Sequence, residues 1–348
     1  MKYIKNSINY KRILVTGGYG FIGTNLINEL IKNKYNSILN IDKDSISSNT
    51  FLKNIKYKNL INININLINS NKLQKILDSF KPDIVYNLAS ETHVDSSITN
   101  PIYHFNNNLI GTVNLLTILN SMINKKKLNK NFKFIHMGTD EIYGDLPLNS
   151  KKSFNEKQKI SPNNPYACSK ASAVLAVNTW CKNFNFPAIV ANSVNNFGYY
   201  QYVEKFIPRS ILNAYYNKTL EVYGSGKNIR SWISAIENSK ALIFLAKKGK
   251  IGETYNIGSR YKFSNIEVAK KILVYLKSKK VEAKISFVKD RVGHDQQYSI
   301  NYKKISKLGW SSKFSFDDEL KKVINWYLTK KNLKYFKKIK RNLRRKGF

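Results

Sequence analysis

Cysteine and histidine are scarce in this sequence, with two cysteines and four histidines in 348 residues. Cys168 and Cys181 are too few and wrongly spaced for a disulfide framework or a zinc site, so we expect reduced, structural thiols and no bound metal. The sequence also lacks an apolar run near the roughly 20 residues that a membrane helix needs, and it starts without the apolar segment of a secretory signal. We therefore expect a cytoplasmic protein with no membrane partner.

Acidic residues are scarce as well: 22 Asp and Glu stand against 59 Lys and Arg, which gives a net charge of +37. So basic a balance ordinarily suggests nucleic acid or an anionic membrane as the partner. Only eight of the 59 are arginines, the side chain on which specific nucleic-acid readers depend. Lys, Asn and Ile are enriched together, as in 61–69, which indicates compositional drift. We expect no specific nucleic-acid partner, and a surface charge that attracts anions without selecting one.

What the chain does have is an alternation of short apolar runs with longer segments of helical periodicity. The apolar runs that predict strands after the first one lie at 37–42, 83–89, 132–138 and 187–198. Helical periodicity marks 101–122 and 164–184. Strands and helices in alternation predict an α/β fold with a doubly wound parallel sheet.

A glycine-rich turn, Gly17, Gly20 and Gly23, stands between the first predicted strand and the first helix. Glycine permits a tight turn and a close approach of the backbone to a pyrophosphate, which then lies at the positive end of the helix. Asp42 follows 19 residues after Gly23, close to the interval of about 20 at which an acid binds the adenosine ribose. A carboxylate there repels a 2′-phosphate, so this pattern predicts an NAD-binding Rossmann sheet; alternatively, Asp42 only begins a turn.

The domain organisation is read from a change of pattern near Gly198, after which short helices and strands are joined by loops. We assign 1–198 to the Rossmann domain, to which about 229–258 returns, and 199–328 mainly to a smaller mixed α/β C-terminal lobe for the substrate. Residues 329–348 are the densest basic block and are expected to be a C-terminal tail, either a solvated terminus or a frayed amphipathic helix.

Tyr166 and Lys170 lie four residues apart in a segment of helical periodicity, so they share one face of a helix. A tyrosine loses its proton near pH 10, too high for a base at neutral pH. We expect the ammonium of Lys170, with an oxidised nicotinamide nearby, to lower the pKa of Tyr166. The lysine can also hold the nicotinamide ribose. Alone, this spacing usually marks a surface pair.

Thr139, Asp140 and Glu141 follow the strand predicted at 132–138, at the edge of the sheet where ligands bind. Two adjacent carboxyl groups can be driven to different protonation states, one a neutral acid and one an ionised base. Dehydration needs such a pair, because one group removes a proton from carbon while the other protonates the departing hydroxyl. The alternative is an Asp-Glu pair that only caps a helix.

Together these motifs resemble the extended short-chain dehydrogenases/reductases, and among them the dTDP-glucose 4,6-dehydratases, over about residues 11–328. The block TDEIYGDL distinguishes the 4,6-dehydratases from the sugar 4-epimerases of this superfamily, because the epimerases typically have small residues in place of Asp140 and Glu141. The resemblance is carried by nine ordered blocks: ILVTGGYGFIGTNL, NLASETHVDSSI, NNNLIGTVNLL, TDEIYGDL, SPNNPYACSKASA, NSVNNFG, EKFIP, GETYNIG and DRVGHD.

The resemblance implies an NAD-dependent lyase. Tyr166, with Thr139 and Lys170, would take the proton of the glucose 4-hydroxyl as C4 is oxidised. Glu141 would remove the C5 proton while Asp140 protonates the departing 6-hydroxyl, and hydride return to C6 would give dTDP-4-keto-6-deoxyglucose and water. UDP-glucose 4,6-dehydratase, a nucleotide-sugar epimerase or decarboxylase, and a catalytically decayed binding protein stay open as alternatives.

The resemblance also implies which residues bind the ligands. Those for the substrate dTDP-glucose are His93, Thr139, Asn195, Arg230 and Asn265. Those for NAD are Gly17, Gly20, Phe21, Ile22, Gly23, Asp42, Asn66, Leu88, Ala89, Tyr166 and Lys170. The helices at 101–122 and 164–184 are similar to those that form a four-helix dimer interface in this family, so a homodimer is expected.

Four departures from the family pattern fall mainly in the nucleotide-binding region. Asn66 and Leu67 stand for an Asp-Ile pair near the adenine, and 199–205 reads YYQYVEK in place of PYHFPEK. The run R-D-W-L-Y-V-x-D-H reads RSWISAIEN here. Gln296 and Gln297 stand where an Arg follows GHD in the family, which removes a diphosphate contact. These departures bear on substrate identity and affinity rather than on the reaction type.

Overall fold

The computed structural model describes residues 12–35, 37–43, 45, 48, 51–52, 55, 57–290 and 293–345. The two ends of the sequence, 1–11 and 346–348, therefore lie outside the described residues. So do Arg291 and Val292 of the DRVGHD block.

The largest element is a seven-stranded, wholly parallel sheet. Its strands are β1 (Arg12–Thr16), β2 (Ser37–Asp42), β3 (Leu60–Asn64), β4 (Ile84–Asn87), β5 (Lys133–Thr139), β6 (Ala188–Ser193) and β10 (Thr254–Ile257). Their spatial order is β10-β6-β5-β4-β1-β2-β3, the doubly wound order with one strand added beside β6. Strands β4 and β6 are buried at every residue, and β1, β2, β5 and β10 at all but their end residues, as expected where helices cover a parallel sheet. The predicted Rossmann fold class is confirmed.

The helices of this part form two packed groups, one with α1 against α8 and the other with α2, α5 and α6 in sequence. They are α1 (Phe21–Lys32), α2 (Ser70–Phe80), α3 (Val94–Thr99), α4 (Pro101–Phe105), α5 (Gly111–Asn124), α6 (Pro165–Phe184) and α8 (Ala235–Lys248). Helix α6 shows why these segments are helical: Asn164 caps its first turn, Pro165 occupies the first helical position, and Asn185 ends it in a left-handed conformation.

A second hydrophobic core lies in the later part of the chain, around Phe197, Trp232, Val268 and Phe316. The short helix α10 (Lys303–Lys307) packs on β10 and places Ile305 in the core of the large sheet. The second core is built from α7 (Phe206–Tyr215), α9 (Asn265–Lys277), α11 (Phe316–Tyr327) and α12 (Lys330–Arg345) with two small sheets. These sheets are β11 (Lys262–Ser264), β9 (Ile229–Ser234) and β7 (Asn195–Phe197), and β12 (Ile285–Val288) beside β8 (Leu220–Tyr223). The domain boundaries drawn from the sequence stay predictions.

Two segments of biased composition have regular structure. The run at 61–69, interpreted as compositional drift, supplies most of the edge strand β3. The basic block at 329–348 begins as helix α12, whose Asn332 and Phe336 are buried against the second core. This half of the block is thus held by packing, since its apolar side chains face the protein.

Within the described residues, no helix combines the length and apolar character needed to cross a bilayer. The same residues contain no group of three His, Cys, Asp or Glu side chains placed to hold a metal. Cys168 and Cys181 are free thiols.

Candidate active site

Two adjoining clefts open at the carboxyl ends of the parallel strands, where open α/β sheets bind their ligands. The first cleft lies over the glycine turn between β1 and α1 and over the ends of β2, β4 and β5. The second cleft continues from the end of β5 towards α7, β8 and β9. Six residues line both clefts and join them: Thr92, Glu141, Asn195, Asn196, Gln201 and Lys205.

The glycine turn is shaped for a phosphate-bearing ligand. A Cβ on Gly23 would collide with the Gly17 carbonyl oxygen and come within 2.7 Å of the Gly18 Cα. The lack of a side chain at Gly23 therefore lets α1 pack closely against the turn. A Cβ on Gly20 would meet only that carbonyl oxygen, at 3.1 Å. Gly20 is also the N-cap of α1, and no side chain caps the helix. The first N–H groups of α1 are therefore available to an anion such as a pyrophosphate.

Asp42 ends β2 beside this turn, and its Oδ2 accepts a hydrogen bond from the Tyr19 backbone N–H at 2.7 Å. Burial raises the pKa of Asp42 to about 7, although hydrogen bonds from the backbone of Tyr19 and Lys43 act to lower it. The carboxyl group is thus positioned by the turn and faces the first cleft, as a ribose-binding acid would.

All of the residues predicted to bind NAD line the first cleft. They are Gly17, Gly20, Phe21, Ile22, Gly23, Asp42, Asn66, Leu88, Ala89, Tyr166 and Lys170. The uncapped turn and the acid at the end of β2 fit the pyrophosphate and the ribose of a dinucleotide. Solved structures of similar proteins identify that dinucleotide as NAD.

The predicted catalytic side chains converge where β5 ends against the first turns of α6. Thr139 is the last residue of β5 and caps the 3-10 turn Asp140–Tyr143, with the Glu141 N–H donating to its Oγ1 at 3.4 Å. The Thr139 side chain lies close enough to the Tyr166 phenol to act on its pKa. The Lys170 Nζ donates to the Met137 carbonyl oxygen at 2.6 Å. All five predicted catalytic residues line the first cleft.

Asp140 and Glu141 have different electrostatic surroundings. Burial raises the pKa of Asp140 well above its usual range, and the charge of Glu141 raises it further. Its Oδ2 is buried without a hydrogen-bond partner. Burial also raises the pKa of Glu141, but Arg230 acts most strongly in the opposite direction. Arg230 acts to lower the pKa of both groups, but Asp140 is the one that burial shifts further towards its neutral form, so Glu141 is the group better able to accept a proton.

Tyr166 departs from the expectation that Lys170 lowers its pKa. Burial, followed by the charges of Glu141 and Asp140, raises the pKa of Tyr166, while Thr139 acts to lower it. Burial lowers the pKa of Lys170 to about 8, and its ammonium is turned to the Met137 carbonyl. Among the protein's own groups, desolvation thus outweighs the attraction on which the expectation rested.

The predicted substrate residues extend from the catalytic group into the second cleft. Thr139 lines the first cleft, Asn195 lines both, and His93, Arg230 and Asn265 line the second. The Arg230 guanidinium donates to the carbonyl oxygens of Asp295 at 2.8 Å and Ile229 at 2.9 Å. The structure thus places all five along one continuous surface.

Several residues of these clefts were missed by the sequence analysis. Lys205 lines both clefts, Asp295 lines the second, and Lys43 forms an ion pair with Glu91 at 2.7 Å at the wall of the first. Lys205 and Asp295 stand inside the blocks EKFIP and DRVGHD, and Lys43 directly follows Asp42. These positions were available as signals, but only the folded chain shows that they face the clefts.

Known proteins similar to this chain point to one family. The family described as GDP-mannose 4,6 dehydratase matches residues 14–323. A dTDP-glucose 4,6-dehydratase of Salmonella typhimurium is 38% identical over 335 residues, which cover 91% of this chain and 92% of the relative. The dTDP-glucose 4,6-dehydratase 1 of Escherichia coli is 37% identical over 347 residues, covering 94% and 95%.

Solved structures agree with this assignment. The dTDP-glucose 4,6-dehydratase of Bacillus anthracis, in complex with NAD, superposes with a TM-score of 0.83 at 32% identity and covers 94% of this chain and 99% of its own. The enzyme of the same description from Streptomyces venezuelae, also with NAD bound, gives a TM-score of 0.86 at 28% identity over 94% and 99%. The chain therefore belongs to the dTDP-glucose 4,6-dehydratase family of the extended short-chain dehydrogenases/reductases.

Proposed function

We propose that this protein converts dTDP-glucose into dTDP-4-keto-6-deoxyglucose and water, with NAD recycled in each turnover. The observation that carries the proposal is the pair of adjacent carboxyl groups at the end of β5, buried Asp140 and partly buried Glu141, beside Tyr166. Tyr166, with Thr139 and Lys170, accounts for the proton transfer that oxidation at C4 needs. A second acid-base pair at the same place suits an elimination.

The first step is removal of a proton from the sugar. Tyr166 accepts the proton of the 4-hydroxyl as C4 becomes a ketone. Burial disfavours the phenolate that this step needs, whereas Thr139 acts to lower the pKa of the phenol and the positive charge of an oxidised nicotinamide would lower it further. Lys170, whose pKa lies at about 8, holds the nicotinamide ribose from the same helix face. Bound NAD supplies the hydride acceptor for oxidation at C4 and the hydride donor for reduction at C6.

The second step is the loss of water between C5 and C6. The new ketone at C4 acidifies the hydrogen on C5, and Glu141 takes it as a proton. Asp140, which burial keeps protonated, gives its proton to the 6-hydroxyl, which leaves as water. Glu141 then returns a proton to C5 when C6 is reduced. Tyr166 releases to solvent the proton it took from the 4-hydroxyl, and Asp140 takes one back from solvent, so that atoms and charges balance over the cycle.

The predicted binding residues belong to this proposal. The residues predicted for NAD hold the cofactor in the first cleft, with the pyrophosphate at the uncapped start of α1 and the adenosine ribose at Asp42. His93, Asn195, Arg230 and Asn265 bind the nucleotide sugar in the second cleft, so that the hexose reaches Glu141 where the clefts join.

A homodimer is part of the proposal, together with a cytoplasmic location. The helices expected at the interface carry apolar side chains open to solvent: Ile102 on α4 is 72% exposed and Leu175 on α6 is 51% exposed. Ile98, Ile110 and Phe184 are exposed on α3, on the π-helical turn Asn106–Ile110 and on α6. Apolar side chains grouped on neighbouring helices suit a self-complementary interface.

The proposal is tested by a product assay. Purified protein with NAD is given dTDP-glucose or UDP-glucose, and mass spectrometry looks for the loss of one water from the intact nucleotide sugar. We expect water loss with dTDP-glucose, and at least a ~100-fold lower rate in Glu141→Gln, the size typical of a general-base contribution. NAD binding and thermal unfolding of the variant serve as controls for folding. The proposal is wrong if wild-type protein that is folded and loaded with NAD removes water from neither substrate. Water loss mainly from UDP-glucose would show that the nucleotide of the substrate carries uracil rather than thymine.

A further inference from the structure

We propose that Arg209 binds the diphosphate of the nucleotide sugar in this protein. The inference rests on the proposed function and adds a binding residue to it. Arg209 lies in the first turns of α7, outside all the motifs that predicted the site. Its side chain lines the second cleft and is 24% exposed.

The position of the guanidinium is set by an aromatic ring. It lies over the Tyr223 ring, 5.4 Å from its centroid, and Tyr223 lines the same cleft. A ring beneath a guanidinium restricts its motion while leaving its N–H donors at the edges for a ligand. Arg209 is thus oriented before any nucleotide binds.

Arg209 is also the cation of this cleft with the weakest contacts to the protein's own acceptors, among the residues that the structure describes. Arg230 donates to three backbone carbonyl groups and lies 4.4 Å from the centroid of the Tyr298 ring. The Lys205 Nζ donates to the Thr92 carbonyl oxygen at 2.9 Å. Arg209 has one ion pair, at 3.8 Å, with a carboxylate of Glu221 whose side chain is 44% exposed. So long and solvated a pair contributes little and can give way to a phosphate.

The glutamines that replace the family's Arg after GHD do not restore a polar contact in the second cleft. Gln296 Oε1 accepts from the Leu148 N–H at 3.1 Å, and Gln297 Nε2 donates to the Ser150 carbonyl oxygen at 2.7 Å. Neither side chain lines the second cleft, whereas His294, Asp295 and Tyr298 on either side of them do. The cleft therefore has no arginine from this segment within the described residues, and Arg209 supplies one from α7.

The start of α7 provides an independent reason to expect an anion here. No side chain caps this ten-residue helix, and Phe206 and Ile207 of its first turn line the second cleft. Uncapped N–H groups and the positive end of the helix dipole favour a phosphate at this end. Arg209 and the helix start therefore act on the same part of the cleft.

The test separates binding from catalysis by using dTDP and thymidine as calorimetric probes, neither of which turns over. We expect Arg209→Leu to weaken dTDP binding by about tenfold or more, the loss of one charge-assisted contact, with Arg209→Lys in between. Thymidine, which has no phosphate, should bind wild type and Arg209→Leu alike. Arg260→Leu is the matched control, because Arg260 also lies over a tyrosine ring, at 5.2 Å from that of Tyr261, but lines neither cleft.

Steady-state rates complete the test. For dTDP-glucose, Arg209→Leu should raise KM by about the same factor as the Kd for dTDP and leave kcat within about twofold, since uniform binding energy is lost. Equal dTDP affinity in Arg209→Leu and wild type would overturn the inference and leave the proposed function intact. An equal loss for thymidine would also overturn it, because Arg209 would then contact the nucleoside. If wild type binds no dTDP, both proposals are wrong.

Discussion

At the scale of single residues, the buried position that suits Asp140 to catalysis also lowers the free energy of unfolding. Its folded pKa lies well above the range of an ordinary aspartic acid, mainly because it is buried. The folded chain therefore keeps a proton that the unfolded chain releases as pH rises. The free energy of unfolding must then fall between about pH 4 and the folded pKa, and it is least affected below pH 4.

This gives a prediction for Asp140→Asn. At pH 8 the variant should be more stable than wild type by on the order of 1 kcal/mol, because a buried group that favours its neutral form is replaced by a neutral one. The difference should vanish near pH 4, and water loss from dTDP-glucose should be abolished. Thermal unfolding from pH 4 to pH 8 measures the difference in stability, and Glu282→Gln, at an exposed position, is the control. A variant less stable than wild type at pH 8 would contradict this account.

Single residues also show where sequence reasoning ends. The spacing of Tyr166 and Lys170 and the adjacent acids at 140 and 141 predicted a group that the structure does bring together. Among the protein's own groups the pKa of Tyr166 is raised rather than lowered, because it depends on burial and on two carboxyl groups from another element. The orientation of Arg209 was equally inaccessible, since nothing in its sequence neighbourhood places Tyr223 beneath it.

At the scale of elements, two glycines of the turn between β1 and α1 have different roles: Gly23 is needed for packing, and Gly20 faces the ligand. A Cβ at position 23 meets backbone atoms, which cannot move aside as a side chain can, whereas a Cβ at position 20 meets one oxygen at 3.1 Å. Gly23→Ala should therefore lose about 1–3 kcal/mol of unfolding free energy, as overpacked sites do. Gly20→Ala should lose less stability and mainly weaken NAD binding.

Chemical denaturation and NAD titration of both variants check this prediction. Each variant is the control for the other, because the same methyl group is added three residues away on the same turn. Equal losses of stability in the two would show that the Gly17 carbonyl can shift and that the contact at position 23 is unimportant.

Helices were predicted well from the regular spacing of their apolar residues, but an irregular turn inside a helix was not predicted. The segment expected as a helix at 101–122 is helical throughout, but the π-helical turn Asn106–Ile110 interrupts its α-helical hydrogen bonding. The Asn107 side chain donates to the Tyr103 carbonyl oxygen at 2.7 Å, and Asn108 reaches Glu91 and Ser169. A period of 3.6 does not reveal such an insertion, because the apolar spacing resumes on the far side.

At the scale of the whole molecule, the exposed apolar residues of α4 and α6 predict self-association. Leu175→Glu combined with Ile102→Glu should convert a dimer into a monomer, because two charges would be desolvated at each copy of the interface. Light scattering after size-exclusion chromatography measures the mass. Val274→Glu on α9, where the wild-type side chain is 74% exposed, is the control and should leave the mass unchanged. A wild-type monomer at micromolar concentration would contradict the prediction.

The fold class of the whole molecule was accessible from sequence because strands, helices and the glycine turn alternate in the chain order that a doubly wound sheet requires. The second core was less accessible. Its residues come from short elements that contact one another only after the chain has turned back, as α7 and α9 do. Local periodicity contains no information about such pairings.

The strand order has a consequence for how the protein is made. β10 adds to the large sheet beside β6, yet it comes from residues 254–257, after the chain has already contributed to the second core. A ribosome that has not yet passed residue 257 therefore carries a nascent chain in which β6, buried along its whole length in the finished protein, is an open edge. Open apolar edges pair readily with other chains. Translation speed over this interval thus sets how long the growing chain is exposed to misassembly.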